Sequence, residues 1–85
     1  MFFNIFHERM IDLFHDADLA KRLEKLYPLG TRVKCIEMPN DPHPIPSGTE
    51  GTVKGSNGFG QIHVKWDNGS GLSLIHGVDK FEIIK

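Results

Sequence analysis

Two patterns of hydrophobic spacing meet near Gly30. Up to Tyr27 the chain holds neither glycine nor proline, and apolar residues recur at helical intervals. Phe3, Phe6, Met10, Leu13, Phe14 and Ala17 share one face at about 100° per residue. Leu19, Leu23 and Leu26 fall on a face rotated by more than a quarter turn. One straight helix would smear that stripe, so the spacing predicts two, helix A over residues 3–14 and helix B over residues 18–27. The phase changes at His15-Asp16-Ala17-Asp18, where either aspartate is suited to cap the second helix. Pro28 and Gly30 stop it.

Beyond Gly30 the apolar residues alternate in short runs between turn signals, which predicts five strands. The first is Thr31–Met38. The loop Asn40–Gly48 carries three prolines, which remove amide donors and bar it from a central strand. Thr49–Lys54 follows, then the turn Gly55–Gly60, the hairpin strands Gln61–Trp66 and Ser70–Ile75, one helical turn at His76–Asp79, and Lys80–Ile84.

The hairpin register follows from parity. Ile62, Val64 and Trp66 alternate on one strand and Leu72 and Leu74 on the other, and residues directly opposite share a face. A two-residue Asn68-Gly69 turn would set Lys65 beside Leu72. A three-residue Asp67-Asn68-Gly69 loop instead sets Val64 against Leu72 and Ile62 against Leu74, with Gly69 at the left-handed position. The longer loop is the prediction. Five short antiparallel strands with this loop order predict an α+β, mainly β fold, a small five-stranded SH3-like barrel preceded by one or two N-terminal helices. A closed sheet would leave no edges for aggregation. The chain reads as one domain over 1–85, with an N-terminal extension 1–16, a helix within 17–29 and a barrel over 30–85.

Charge narrows the partner. Residues 1–30 carry four basic and five acidic side chains and residues 31–85 six of each, for a net charge of −1. That balance argues against a dedicated nucleic-acid binder. A single cysteine, Cys35, excludes a disulfide framework and suits a reducing cytoplasm. No apolar run approaches the roughly 18 residues of a membrane span.

One set of motifs is specific. Tyr27-Pro28-Leu29-Gly30-Thr31-Arg32-Val33, Met38, Asp41-Pro42, Pro46, Gly48-Thr49-Glu50-Gly51-Thr52-Val53, Gly60-Gln61-Ile62-His63-Val64, Trp66-Asp67-Asn68-Gly69-Ser70 and Gly77-Val78-Asp79 together resemble the DUF4314 family. The likeness covers roughly residues 20–85. It implies a setting in phages, prophages and conjugative elements of Gram-positive bacteria. Two departures stand out. Relatives often carry an acidic pair where this chain has Ser56-Asn57-Gly58, and residues 1–16 extend beyond the usual domain.

Each candidate site also has a structural reading. In Trp66-Asp67-Asn68-Gly69-Ser70 the structural reading is a core tryptophan followed by a capped turn, and the functional one uses Asp67, Asn68 and Ser70 as ligand contacts. The Asn40–Gly48 loop is either a stiff spacer or a groove wall, with His43 and Ile45 projecting and Phe59 opposite. The full groove would comprise His43, Ile45, Phe59, Trp66 and His76. Five histidines and Cys35 lack the paired spacing of a zinc site, so neither metal nor cofactor is expected. Cys35 reads as a small buried hydrophobe, and no nucleophile sits in a recognised elbow, which disfavours an enzyme. Helix A is more apolar than docking requires, so Phe3, Phe6, Met10, Leu13 and Phe14 are candidate oligomer contacts. Its acidic opposite face is the wrong sign for a membrane surface.

The leading expectation is a non-enzymatic phage or mobile-element binding protein of the host cytoplasm. A special case is a host-defence antagonist that occupies a defence protein or sequesters its nucleotide signal. The alternative is a nucleic-acid-binding barrel, with Arg32, Lys34, Lys54 and Lys65 gathered around Trp66 and Phe59.

Overall fold

A computed structural model describes residues 16–84. Helix A and its candidate interface residues Phe3, Phe6, Met10, Leu13 and Phe14 lie outside the described residues. Helix α1 runs Ala17–Leu26, one residue earlier at each end than its spacing predicts. Asp16 is the cap, its Oδ1 accepting from Asp18 N at 2.9 Å and Leu19 N at 3.1 Å. Asp18 in the first turn and Lys25 in the last complement the helix dipole. Leu23 is fully buried and Leu19 partly so, but Leu26 is largely exposed because the helix ends there.

The strands are β1 (Arg32–Glu37), β2 (Glu50–Ser56), β3 (Gln61–Trp66), β4 (Leu74–Ile75) and β5 (Lys80–Ile83). They form one antiparallel sheet in the order β4-β3-β2-β1-β5. The sheet does not close. β4 and β5 stand at its two edges, so the expected barrel is corrected to an open five-stranded sheet. The reason lies in the fourth strand, expected over Ser70–Ile75 but reduced to two residues. The indole Nε1 of Trp66 donates to Leu72 O at 2.7 Å, and Leu72 N turns back to Ser70 Oγ at 3.3 Å. Residues 71–73 spend those groups locally and add nothing to the ladder.

The hairpin register is the one parity requires. Ile62 faces Leu74, Gln61 faces Ile75, and Trp66 N donates to Ser70 O at 3.0 Å across the three-residue loop. Gly69 sits at φ +92°, the left-handed position. Ile62, Val64, Trp66 and Leu74 are buried together with Val33, Cys35, Val53, Met38 and Leu23. His76–Asp79 forms a hydrogen-bonded turn, with Val78 N and Asp79 N both donating to Ile75 O.

Two glycines let the layers approach. A Cβ on Gly51 would stand 2.6 Å from Val64 Cγ1 and 2.8 Å from the Trp66 ring. On Gly58 it would stand 2.7 Å from the backbone N of Asp16, whose amide donates to Gly58 O at 3.0 Å. The β2–β3 turn thus holds the start of α1.

Candidate functional site

The proline loop projects only in part: His43 is exposed as expected, and Ile45 is not. With amides missing at Pro42, Pro44 and Pro46, the remaining donors fold it inward. His43 N donates to Asp41 Oδ1 at 2.8 Å, and Ile45 N meets Met38 Sδ at 3.4 Å. Ile45 O accepts from Cys35 Sγ at 3.4 Å. Ile45 is therefore a core residue, 5% exposed, rather than a groove wall. Burial also pushes the Cys35 thiol above its ordinary pKa, the behaviour of an inert buried sulfur. Trp66 is likewise buried, its one polar atom committed to Leu72. Of the groove residues inferred from sequence, only His43, Phe59 and His76 are exposed. His76 N donates to Gly60 O at 2.7 Å, which keeps it close to the Phe59 turn, while its ring lies 6.4 Å from that of Tyr27.

The residues of the Trp66–Ser70 motif are occupied with structure. Asn68 Oδ1 accepts from Ser70 N at 3.0 Å. The Arg32 guanidinium grips Asp67 in a two-pronged contact, Nη1 to Oδ1 at 3.0 Å and Nη2 to Oδ2 at 2.6 Å. Arg32 also reaches Thr52 Oγ1 at 3.0 Å and Glu50 Oε1 at 3.3 Å. The Arg32 hydrogen bonds hold the Asp67 carboxyl below its usual range, and Asp67 in turn raises Arg32. This cluster ties β1, β2 and the β3–β4 loop together. Arg32 and Thr52 fall opposite each other on neighbouring strands.

The structure places a cleft of about 320 Å³ elsewhere, between the Asn40-Asp41 corner, residues 71–73 and the turn before β5. Its polar lining comes from Asn40, Asp41, Gln61, Ser73 and Asp79, and its apolar lining from Leu72, Ile75 and Val78. The polar groups are fixed from behind. Asp79 Oδ2 accepts from Ile75 N at 2.7 Å, Asp41 Oδ1 holds His43 N, and Ser73 Oγ meets His63 Nδ1 at 2.9 Å. Each carboxylate keeps a second oxygen beyond these bonds. None of His43, Phe59 and His76 lines this cleft. Hydrophobic alternation does not show it, because that pattern reads residues 71–73 as paired strand.

A broader hollow of about 550 Å³ lies on the outer sheet face beside Thr52, Lys54, Lys65 and Asp67. Of the four cations expected to gather there, Arg32 is bound to Asp67 and Glu50, and Lys34 Nζ lies 3.7 Å from Glu82. Lys54 and Lys65 have no ion-pair partner among the described residues. Nor is there, among these residues, a group of three or more His, Cys, Asp or Glu placed to hold a metal ion. No helix among them is long and apolar enough to cross a membrane.

The model of the family described as "Domain of unknown function (DUF4314)" matches residues 16–84. The chain belongs to this family. Its matched region starts at the Asp16 cap, so the family unit is α1 together with the sheet. Comparison with curated proteins and with solved structures finds no match.

Proposed function

We propose that this DUF4314 chain is a non-enzymatic binding module whose cleft seats a short segment of a partner protein. The observation that carries the reading is the cleft's chemistry. Two carboxylates, a hydroxyl and the Gln61 amide are held by hydrogen bonds around apolar Leu72, Ile75 and Val78, with the Asn40 amide beside them. Such a lining offers acceptors to peptide N–H groups or to a basic side chain, with apolar floor for the rest. It repels phosphate, because Asp41 and Asp79 both flank the opening. A protein segment therefore fits this cleft better than a nucleotide signal. In the phage or mobile-element setting of the resemblance, the partner would be a host protein in the cytoplasm, with a defence protein as the special case. The strand order, with β5 returned beside β1, supports reading the open sheet as an SH3-like roll.

Filling the cleft tests the reading. Gly71 lines it, has no positive φ, and its Cβ direction is open. Peptides selected on the full chain from a displayed random library should bind Gly71→Trp at least tenfold more weakly, with the melting temperature retained. Equal affinity for both proteins would sink the proposal.

A second reading, nucleic acid on the outer face, rests on Lys54 and Lys65. Two free cations give a slope of log affinity against log salt no steeper than about −2. A gel-shift series with a slope near −2 that Lys54→Ala and Lys65→Ala each flatten by about one unit would favour this reading over the cleft.

A further inference from the structure

Among the described residues, β5 is bonded on only one of its two sides. Ile84 N donates to Arg32 O at 2.9 Å, and antiparallel ladders alternate between residues bonded inward and residues facing away. Glu82 therefore bonds back to its partner Lys34, while Phe81 and Ile83 direct their N–H and C=O groups outward. Among the described residues no strand pairs with that side. The side chains follow the same alternation. Phe81 and Ile83 face the core side, opposite Cys35 and Val33, and Lys80 and Glu82 face out. Yet Ile83 is 52% exposed, and Phe81 is half-buried against Tyr27, with ring centroids 5.3 Å apart.

We infer that this edge pairs with the same edge of a second copy, β5 against β5, about a twofold axis at Phe81. Isologous contacts must be self-complementary, and of the registers open to the outward groups those centred on Phe81 and on Glu82 keep the most of β5 paired. In one, Phe81 meets Phe81 of the second copy and that pair exchanges the backbone hydrogen bonds, while Ile83 falls opposite its Asp79, whose N–H stays with Ile75 O. Lys80 then lies opposite Glu82 in both directions. In the other, Phe81 meets Ile83, and the two Glu82 carboxylates face each other. Like charges directly opposite are destabilising and opposite charges stabilising, so the first register wins.

That register also extends what each copy already builds. Lys80 Nζ lies 3.6 Å from Glu37, and Lys34 Nζ lies 3.7 Å from Glu82. Across the twofold the outer row alternates without a break: Glu37, Lys80, then Glu82 and Lys34 of the second copy. On the inner face the two Phe81 rings meet, each backed by its own Tyr27. A four-residue edge makes a small interface, so association is weak and concentration-dependent. A lysine on a short edge strand discourages indiscriminate pairing. Here Lys80 finds a carboxylate in the self-paired register, which turns that protection into selectivity.

Charge reversal and mixing test the inference on the full chain. Sedimentation should show a reversible dimer, weakened roughly tenfold by Lys80→Glu alone and by Glu82→Lys alone. The two variants mixed in equal amounts should recover a heterodimer, because every Glu of one then faces a Lys of the other. Wild-type protein prepared as an equal heavy–light isotope mixture and treated with a carbodiimide should give a Lys80–Glu82 cross-link joining heavy to light peptide. The inference is overturned by a monomer at all concentrations, or by a dimer indifferent to both reversals. Variants that fail to reassociate, or the absence of the mixed cross-link, would also overturn it.

Discussion

β3 and β5 carry the same alternation and meet different fates. Ile62, Val64 and Trp66 of β3 are all buried, whereas on β5 the equivalent positions leave Phe81 half-buried and Ile83 mostly exposed. The difference is in the neighbours. β3 is flanked by β2 and β4, and Trp66 extends its hold to Leu72. Among the described residues β5 is bonded on one side alone. Alternation therefore fixes which way a side chain points, while coverage depends on what the topology sets beside and above it.

The largest expected effect breaks the comparison at its strong end. Trp66→Ala should cost about 4 kcal/mol, since it opens a cavity in the core and orphans Leu72 O. Ile83→Ala, the matched truncation at the weak end, should cost under about 1 kcal/mol because half the side chain is already in water. Urea titration of dilute protein, where β5 pairing between copies plays no part, measures both. Similar losses for the two would mean that β5 is covered after all.

The next effect asks how the strong end is held to the helix. Gly58→Ala places a methyl against the Asp16 backbone, which cannot yield without releasing the first turn of α1. Overpacking of this kind costs about 2–3 kcal/mol. The Asp16→Ala cap variant should lose about 1 kcal/mol. Far-UV circular dichroism should show Gly58→Ala losing helical signal before the sheet melts. Unchanged stability in this variant would dissociate the turn from the helix.

Most of the sheet was legible because local rules and tertiary structure agreed. The Asp67-Asn68-Gly69 loop was set by parity, and helix B needed only its cap and its stop. Three features were hidden because each depends on side-chain-to-backbone bonds that hydrophobic periodicity does not register. Ile45 reads as a projecting loop residue until Met38 and Cys35 supply partners for its backbone. Residues 71–73 read as strand until the Trp66 indole claims Leu72 O. The closed barrel failed for the same reason, because a fourth strand of two residues cannot carry the sheet round. The cleft inherits that illegibility, since residues 71–73 form one of its walls.

The smallest effect separates charge from turn geometry on the outer face of the strong end. Asp67 is held below its ordinary pKa by Arg32, so folding favours the carboxylate. A depressed folded pKa contributes stability that is present above the unfolded value of about 4 and fades as pH falls through the folded one. Both partners are solvent-accessible, so screening keeps the contribution small. Wild-type protein should thus exceed Asp67→Asn in stability at neutral pH, with the gap narrowing under acid and with added salt. The bond from Asp67 N to Glu50 O uses backbone and survives the substitution. A gap that persists unchanged in acid would therefore assign Asp67 to the geometry of the loop, and Arg32 would lose its role as the tie between β1 and the hairpin.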